Sequence, residues 1–414
     1  MKMEDHLEEN GEIEVPSYFL CPISLQLMRD PVTISTGITY DRSSIEMWLF
    51  SFNKTVCPIT KQPLSSDPDL LTPNHTLRRL IQSWCTLNAS NGIERIPTPK
   101  SPIDKTHIAK ILKQAQSFPD STHKCLLALK AIALENERNR NLVAQSDGAF
   151  DFLAMVIKSG GSNNIASIEL AVEILFHIKS SQTHLKNLVN GDVDFINSLT
   201  FVLQNGNCQS RAYAVMLLKS SLELADPIRL MSIERELLRE IVRVIHDHIS
   251  HQASKSALKV LAEVCPWGRN RVKAVEGGAV GVLVELLLNS TERRWSELGL
   301  VILDQLCGCA EGREKLVAHA AGLAVVSKKI LRVSAMASDR AVRILSSICR
   351  FSASAKVMQE MLEVGVVAKL CLVLQMDCSM KTREKARDTL KLHSRVWSNS
   401  SCIPPHLLSA YPST

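Results

Sequence analysis

The chain has 414 residues, of which 45% are hydrophobic, 22% charged and 5% aromatic, with a formal net charge of +6 at pH 7. This length allows two or three domains with a substantial buried core, and the low aromatic content favours packed helices over a β-sandwich. The weak, scattered positive charge carries no basic stripe interleaved with aromatics, so we expect no nucleic-acid partner.

The first thirteen residues are strongly acidic and predict a disordered leader. They contain no apolar run, which argues against a secretion signal, and no stretch of 18 uncharged apolar residues predicts a transmembrane segment. Many of the twelve cysteines lie inside apolar helical patterns, as free thiols do in a reducing compartment. We therefore expect a cytoplasmic protein, with the nucleus or peripheral attachment to membranes as alternatives.

Residues 14–88 predict a small mixed module. Two β-like runs, Val32–Ile34 and Ile38–Tyr40, flank Ser-Thr-Gly and predict a hairpin. Asp41 or Ser43 can cap the helix that follows, and Ser43 with Glu46 fits a capping box. The module should close with a second helix after Asn74.

Both helices of this module show apolar residues at helical spacing. In the first helix the predicted core-facing residues are Ile45, Trp48, Leu49 and Phe52. In the second they are Leu77, Leu80, Ile81, Trp84 and Leu87.

Two Cys-Pro loops begin at Cys21 and Cys57 and raise the question of a zinc site. A cross-braced zinc module needs closely paired Cys or His ligands, yet this module offers only these two cysteines, His75 and Cys85, with no two of them two to four positions apart. We therefore predict no metal and no other cofactor. Hydrogen bonds and ion pairs of polar side chains should shape the loops instead; the candidates are Asp30, Asp41, Arg42 and Asn74.

Residues 89–104 are rich in Pro, Ser and Asn and predict a linker. Residues 105–398 predict helices almost throughout, and 399–414 a loose tail. Glycines that precede apolar helices recur near every 43 residues, with one missing between the second and third, where a helix should start near Ile233. This period is typical of armadillo or HEAT repeats, in which each glycine would supply a left-handed turn. The glycines are Gly148, Gly191, Gly278, Gly322 and Gly365.

Four segments of the module resemble the blocks of a U-box, the metal-free relative of the RING domain: YFLCPISLQLMRDPV, GITYDRSSIEMWL, CPITKQPL and LTPNHTLRRLI. A U-box, a linker and armadillo repeats together resemble the plant U-box/armadillo ubiquitin ligases. The implied fold is mainly α: a small α+β, RING-like, metal-free U-box followed by an armadillo-type α-solenoid whose long concave surface binds extended partners.

The resemblance also implies roles for individual residues. Contacts to a ubiquitin-conjugating enzyme would come from Ile23, Leu25, Trp48, Pro58 and Ile59. Lys61 matches the basic position that holds the ubiquitin, although Lys lacks the rigid fork of Arg. Cys21 and Cys57 would be small buried loop residues, not ligands or nucleophiles.

The implied activity is that of a ubiquitin transferase without a catalytic nucleophile, which brings a substrate lysine to the ubiquitin thioester of the conjugating enzyme. Its partners would be that enzyme, ubiquitin, a protein substrate on the repeats and a second copy as a homodimer. The family acts largely in plant stress, hormone and defence signalling.

Three alternatives stay open. The first is a non-catalytic armadillo scaffold, and the second is a thiol-relay ligase using Cys21 or Cys57. The third is a nuclear-import adaptor, which the lack of a regular Trp/Asn ladder in the repeats argues against.

Overall fold

The protein is represented by a computed structural model. It divides into two compact units, residues 1–149 and 150–414. The predicted leader, most of the linker and all of the tail except Tyr411 lie outside the described residues. The structure describes residues 15–64, 71–89, 93–94, 96, 103–159, 164–178, 182–191, 193–397 and 411. Within them, no helix combines the length and apolar character needed to cross a membrane.

The first unit contains a three-stranded antiparallel sheet. Its strands are β1 (Pro31–Thr33), β2 (Thr39–Asp41) and β3 (Thr72–Pro73), and β1 lies in the middle. The predicted hairpin is present as β1 and β2, with Gly37 in the left-handed region at φ 81° to make the turn. Strand β3, which follows the second Cys-Pro loop, therefore lies beside β1 of the hairpin.

Helix α1 (Arg42–Glu46) follows β2 and continues into one π-helical turn, Met47–Ser51. The predicted capping box is wrong, because Ser43 lies within the helix and donates to the Asp41 carboxylate at 2.7 Å. Phe52 is 60% exposed, contrary to its predicted core position. The π turn fits more residues into one turn than an α-helix does, so the 3.6-residue stripe that includes Phe52 is broken.

Helix α2 (His75–Leu87) begins at Asn74, whose side chain accepts a hydrogen bond from the Leu77 N–H at 3.0 Å. Its buried stripe is narrower than predicted. Ile81 and Cys85 are buried, but Leu80 and Leu87 are 53% and 80% exposed. A small module covers only one narrow side of a helix, so the two outer leucines face solvent.

The repeat region is helical, as predicted. Three helices lie in the first unit: α3 (Lys105–Ser117), α4 (Thr122–Glu135) and α5 (Glu137–Ala144). The remaining helices start at the end of that unit and fill the second: α6 (Ala149–Lys158), α7 (Ile165–His177), α8 (Gln182–Gly191), α9 (Val193–Asn205), α10 (Cys208–Leu222), α11 (Pro227–Met231), α12 (Arg235–His246), α13 (His251–Val264), α14 (Asn270–Glu276), α15 (Ala279–Asn289), α16 (Arg293–Leu306), α17 (Ala310–Ala318), α18 (Gly322–Lys329), α19 (Ala335–Phe351), α20 (Ala355–Glu363), α21 (Val366–Gln375), α22 (Met380–Leu392) and α23 (Ser394–Trp397).

Two rows of equivalent helices run through the second unit. One row packs α10, α13, α16, α19 and α22 in succession, and the other packs α9, α12, α15, α18 and α21. Successive helices of the second row start 42 to 44 residues apart. The repeat period near 43 residues is thus confirmed, and α12 fills the unit whose glycine is missing, beginning at Arg235.

The turn glycines do not all play the predicted role. Gly148, Gly278 and Gly365 have φ of 77°, 89° and 73°, the left-handed conformation expected at these turns. Gly191 is the last residue of α8, and Gly322 begins α18 without a positive φ. At Gly322 a Cβ would lie 2.0 Å from the Leu316 carbonyl oxygen, so glycine is needed there for close backbone approach.

Candidate functional site

Two loops of the first unit, Leu20–Leu27 and Val56–Pro63, share one backbone geometry. An isolated antiparallel bridge joins the two ends of each loop. In each, the cysteine N–H donates to the glutamine carbonyl five residues later at 2.8 Å, and the cysteine carbonyl accepts from the N–H four residues later. The loops are therefore two copies of one tight turn, 36 positions apart.

Leu25 and Lys61 occupy equivalent positions at the tips of these loops. Both have positive φ, 56° and 59°, which is unusual for residues with long side chains. The conformation turns each tip outward, and Leu25 is 75% exposed. Strained non-glycine backbone of this kind is common at functional sites.

Buried sulfur atoms anchor the loops where a zinc module would use metal. Cys21 Sγ accepts the Asp41 N–H at 3.3 Å, and Cys57 Sγ accepts the Thr60 N–H at 3.4 Å and lies 3.2 Å from the Tyr40 hydroxyl. Burial by itself would raise the pKa of Cys57, but hydrogen bonds from Thr60 and Tyr40 outweigh it and lower the pKa to about 6. Both sulfurs are fully enclosed, so they hold the loops and are shielded from solvent.

A charged network joins the first loop to both helices. The Asp30 carboxylate pairs with Arg42 at 2.6 Å and with Arg78 of α2 at 3.4 Å. The Asp41 carboxylate accepts the N–H groups of Arg29 and Asp30 at 2.8 and 2.9 Å. This carboxylate therefore fixes the end of the first loop instead of capping α1.

Asn74 links the start of α2 to the sheet. Its side-chain amide donates to Thr33 Oγ1 at 3.4 Å and to Thr39 Oγ1 at 3.5 Å. Those two hydroxyls lie 2.8 Å apart across β1 and β2. Asn74 thus caps one element while holding two others.

Trp48 and Ile23 are half-buried and pack on the same apolar core. The indole Nε1 of Trp48 donates to the Val56 carbonyl at 2.8 Å, which ties the π turn to the start of the second loop. Both residues still present part of their surface to solvent. They can contribute to the core and to a binding face at once.

Exposed apolar side chains surround these anchors. Ile59, at the tip of the second loop, is 52% exposed, and Pro58 is half-buried. Lys61 is exposed, and its ammonium donates to the Pro58 carbonyl at 2.8 Å. Met47, next to Trp48, is 53% exposed and was not among the predicted site residues. Its position off the apolar stripe of the helix could have indicated an exposed apolar side chain.

The arrangement is suited to binding another protein. Among the described residues, no group of three or more His, Cys, Asp or Glu side chains could hold a metal ion. The two loop thiols are enclosed, and the exposed tips are apolar or cationic. Rigid apolar tips held by buried hydrogen bonds are what a protein-docking surface requires.

Two family models match the chain. The first, "U-box domain", covers residues 15–90, and the second, "Plant U-box protein ARM repeat region", covers residues 107–413. Together they span almost the whole sequence.

Curated relatives match over nearly their full lengths. The chain is 52% identical to the E3 ubiquitin-protein ligase PUB23 of Arabidopsis thaliana, over 97% of this chain and 98% of the relative. It is 50% identical to PUB22 of the same plant, over 97% of this chain and 99% of the relative. Among solved structures, an engineered protein from a structural genomics consortium aligns with a TM-score of 0.50 at 17% identity, over 75% of this chain and 71% of its own, which bears on the fold alone.

Proposed function

The chain belongs to the plant U-box proteins with an armadillo-repeat region and is a ubiquitin-protein ligase, and we propose that the two Cys-Pro loops and the π turn after α1 dock the ubiquitin-conjugating enzyme. The single observation that carries this assignment is the pair of matching loops, each presenting an exposed apolar residue on a backbone fixed from behind. Binding faces draw most of their energy from a few such anchors.

In this proposal the anchors act together. Ile23 and Leu25 of the first loop, Pro58 and Ile59 of the second and Trp48 between them contact the conjugating enzyme. The support is their exposure and their attachment to one core, through the Trp48 indole hydrogen bond and the packing of Ile23.

We further propose that Lys61 holds the ubiquitin. Its ammonium is exposed at a loop tip, and the hydrogen bond to the Pro58 carbonyl keeps it next to the docking residues. A lysine offers a point charge and not a bidentate fork, so its contact should be weaker than that of an arginine in the same place.

Transfer then proceeds on the conjugating enzyme. The amine of a substrate lysine attacks the thioester carbonyl, the new amide forms, and the conjugating enzyme's thiolate leaves. The ligase contributes proximity and orientation. The enclosure of Cys21 and Cys57 supports direct transfer over a thiol relay through either of them, because a relay needs an accessible sulfur.

The armadillo repeats bind proteins, and we propose that they hold the substrate. This proposal has three further parts. The protein acts in plant stress and defence signalling. It is cytoplasmic, with the nucleus and membrane surfaces as alternatives, and two copies of it pair. Each extends what is established for the chain.

The test is a reconstituted reaction with ubiquitin-activating enzyme, a conjugating enzyme, ubiquitin and ATP, in which self-ubiquitination is followed on gels. We expect Ile23→Ala/Trp48→Ala to lose most activity while keeping the helical circular dichroism signal. Ile228→Ala, which truncates an apolar side chain of α11 that is 79% exposed, is the matched control and should stay active. Full activity of a folded double variant would refute the docking assignment.

The relay alternative has its own test. A non-reducing gel of the reaction should show ubiquitin thioesters on the activating and conjugating enzymes and none on the ligase. A thiol-sensitive ubiquitin adduct on the ligase, lost in Cys57→Ser or Cys21→Ser, would establish the relay. Absence of activity with a broad set of conjugating enzymes would favour the non-catalytic scaffold.

A further inference from the structure

A recess of about 480 Å³ lies across helices α14, α16, α19 and α22 in the second unit. Its walls come from the ends or faces of consecutive repeats, so no short segment of sequence contains it. Five of the side chains that line it are cationic and one is a carboxylate, Asp304. The cationic residues are Arg271, Arg340, Arg343, Arg350 and Lys385.

The recess concentrates charge. Five cations against one carboxylate leave a local charge of +4, whereas the whole chain of 414 residues carries only +6. Like charges this close repel each other, and an anionic partner would relieve the repulsion. The balance therefore points to a ligand with several negative charges.

Asp304 organises part of this charge without neutralising it. Its carboxylate, 10% exposed, lies 2.9 Å from both Arg340 and Arg343. One acid thus fixes two guanidinium groups that reach it from α19. Fixed arginines lose less freedom on binding, which favours recognition of carboxylate or phosphate.

Other donors in the recess are unused. Arg350 and Lys385 are exposed and form no ion pair within the part of the chain that the structure describes. The Arg340 Nε–H is enclosed and has no hydrogen-bond acceptor there. Buried polar atoms without partners are unfavourable, so a ligand that engages these side chains would recover hydrogen bonds.

An apolar contact sits in the same recess. Phe351 is 64% exposed, and the Arg313 guanidinium stacks 5.0 Å from its ring centroid. The exposed part of the ring can receive an apolar side chain of a partner.

The charges around the recess do not favour nucleic acid, which would need a longer run of cations. A neighbouring recess instead adds acids along one side, at Asp339, Glu384 and Asp388.

We propose that this recess binds an acidic peptide segment of a protein substrate, one that carries several carboxylates or phosphates next to an apolar residue. The inference rests on the proposed function, in which the repeats hold the substrate. It adds the chemical class of the segment and the place where it binds.

The test uses the full-length chain and fluorescence anisotropy with labelled peptides. One probe carries a Glu/Asp-rich segment with a leucine, and a second replaces two acids with phosphoserine. A Lys-rich peptide of equal length and a single-stranded oligonucleotide of equal charge are competitors. We expect both acidic probes to bind, with affinity that falls as salt rises. Tighter binding of the phosphorylated probe would identify phosphate as the preferred anion, and equal binding would identify carboxylate.

Charge reversal locates the site. Arg343→Glu/Arg350→Glu should weaken binding about tenfold or more, since charge-assisted hydrogen bonds are worth a factor of that size. Lys315→Glu/Lys356→Glu, on α17 and α20 outside the recess, is the control with the same change of charge. Arg343→Gln/Arg350→Gln, together with thermal unfolding, separates lost contacts from lost folding.

The outcomes separate the inference from the proposed function. If self-ubiquitination is intact but neither peptide binds, or both double reversals weaken binding equally, the inference fails and the ligase mechanism stands. If the oligonucleotide displaces the peptides and binds more tightly, the recess is a nucleic-acid site and the inference is overturned. If the folded wild-type chain shows no self-ubiquitination, that result counts instead against the proposed function.

Discussion

Buried polar contacts hold the residues of the candidate site in place. Cys57 shows this most clearly, because its enclosed sulfur is the shared partner of Thr60, Tyr40 and Thr36. The same environment that lowers the pKa of this thiol to about 6 raises the pKa of Tyr40, chiefly through burial and then through the hydrogen bond to the sulfur. At residue scale, then, the polar partners of the cysteines determine the loop geometry.

Replacement of Cys57 by alanine should destabilise the U-box. The change leaves the Tyr40 hydroxyl and the Thr60 N–H without an acceptor, at a cost of about 1–3 kcal/mol in the free energy of unfolding. Urea unfolding of the full-length chain, followed by tryptophan fluorescence, measures it. Cys208→Ala, at an exposed cysteine of α10, is the control, and equal stability of the two variants would contradict the role given to Cys57.

Leu25→Gly should separate stability from activity. Leu25 has φ 56° and is 75% exposed, so glycine relieves backbone strain while removing little buried surface. We expect an unfolding free energy within about 1 kcal/mol of wild type, because strain relief and the greater freedom of the unfolded glycine chain oppose each other.

Ubiquitin transfer by Leu25→Gly should nevertheless fall, because an apolar anchor is lost. The reconstituted reaction measures it, with Leu87→Gly of the exposed end of α2 as the control. A variant that is as active as wild type would remove Leu25 from the docking set.

At the scale of elements, helices of the repeat region are joined by ion pairs as well as by apolar packing. Arg211 of α10, a largely buried side chain, donates to Asp247 after α12 at 2.8 Å. Burial opposes ionisation of Asp247, but hydrogen bonds from Arg211 and His246 and the charge of Arg211 outweigh it and lower its pKa. This pair ties two helices that belong to different rows.

Asp247→Asn should lower stability at neutral pH by about 1–3 kcal/mol, since the Arg211 charge loses its partner. A lowered pKa in the folded state means that the stabilisation is present above the ordinary Asp pKa, near 4, and disappears as pH falls through the folded-state value. The difference between the variant and wild type should therefore shrink toward pH 3.

Urea midpoints at pH 7 and pH 3.5 measure this dependence. Asp388→Asn, at an exposed aspartate of α22, is the control and should leave the midpoint unchanged. A variant that loses as much stability at pH 3.5 as at pH 7 would show that the charge of Asp247 is not what matters.

At the scale of the molecule, the first compact unit joins the U-box to the start of the repeat region. The π turn after α1 packs against α5, and Arg138 Nε of α5 lies 3.7 Å from the buried Glu46 carboxylate. Two residues of the predicted linker belong to the same packed unit, since Ile93 and Ile96 pack on the U-box core. The compact unit ends at residue 149, well inside the region matched by the repeat model.

Arg138→Met should loosen this contact in a pH-dependent way. Burial raises the pKa of Glu46, and the charge of Arg138 is the largest influence that opposes the rise. Without Arg138 the ionised carboxylate is less stable, so the variant should be most destabilised at alkaline pH and should recover as pH falls through the raised pKa and Glu46 takes up a proton.

Amide hydrogen exchange of α1 and α5 at pH 8 and at pH 4.5, the ordinary pKa of a Glu carboxyl, corrected for intrinsic rates, measures the effect. Arg140→Met, which removes a partly exposed pair with Glu137 on the same helix, is the control and should leave exchange in α1 unchanged. If Arg138→Met protects α1 as well as wild type at both pH values, the U-box and α5 are not coupled through Glu46.

Features that depend on local pattern could be predicted from the order of the residues. The glycine period predicted helical repeats of about 43 residues, because a repeat is a property of the chain order. The hairpin and the helix that begins at Asn74 were also predictable, since turn and cap residues act within a few positions.

Which side chains are buried, and which meet across repeats, depends on how the helices pack in space. The π turn exposed Phe52, the narrow contact of α2 exposed Leu80, and the close backbone at Leu316 explained Gly322, none of which helical periodicity can show. The cationic recess draws its charges from side chains as far apart in sequence as Arg271 and Lys385, 114 positions, so their sum appears only when the repeats stack. Burial and electrostatic fields depend on distance in space, and a sequence records distance only along the chain.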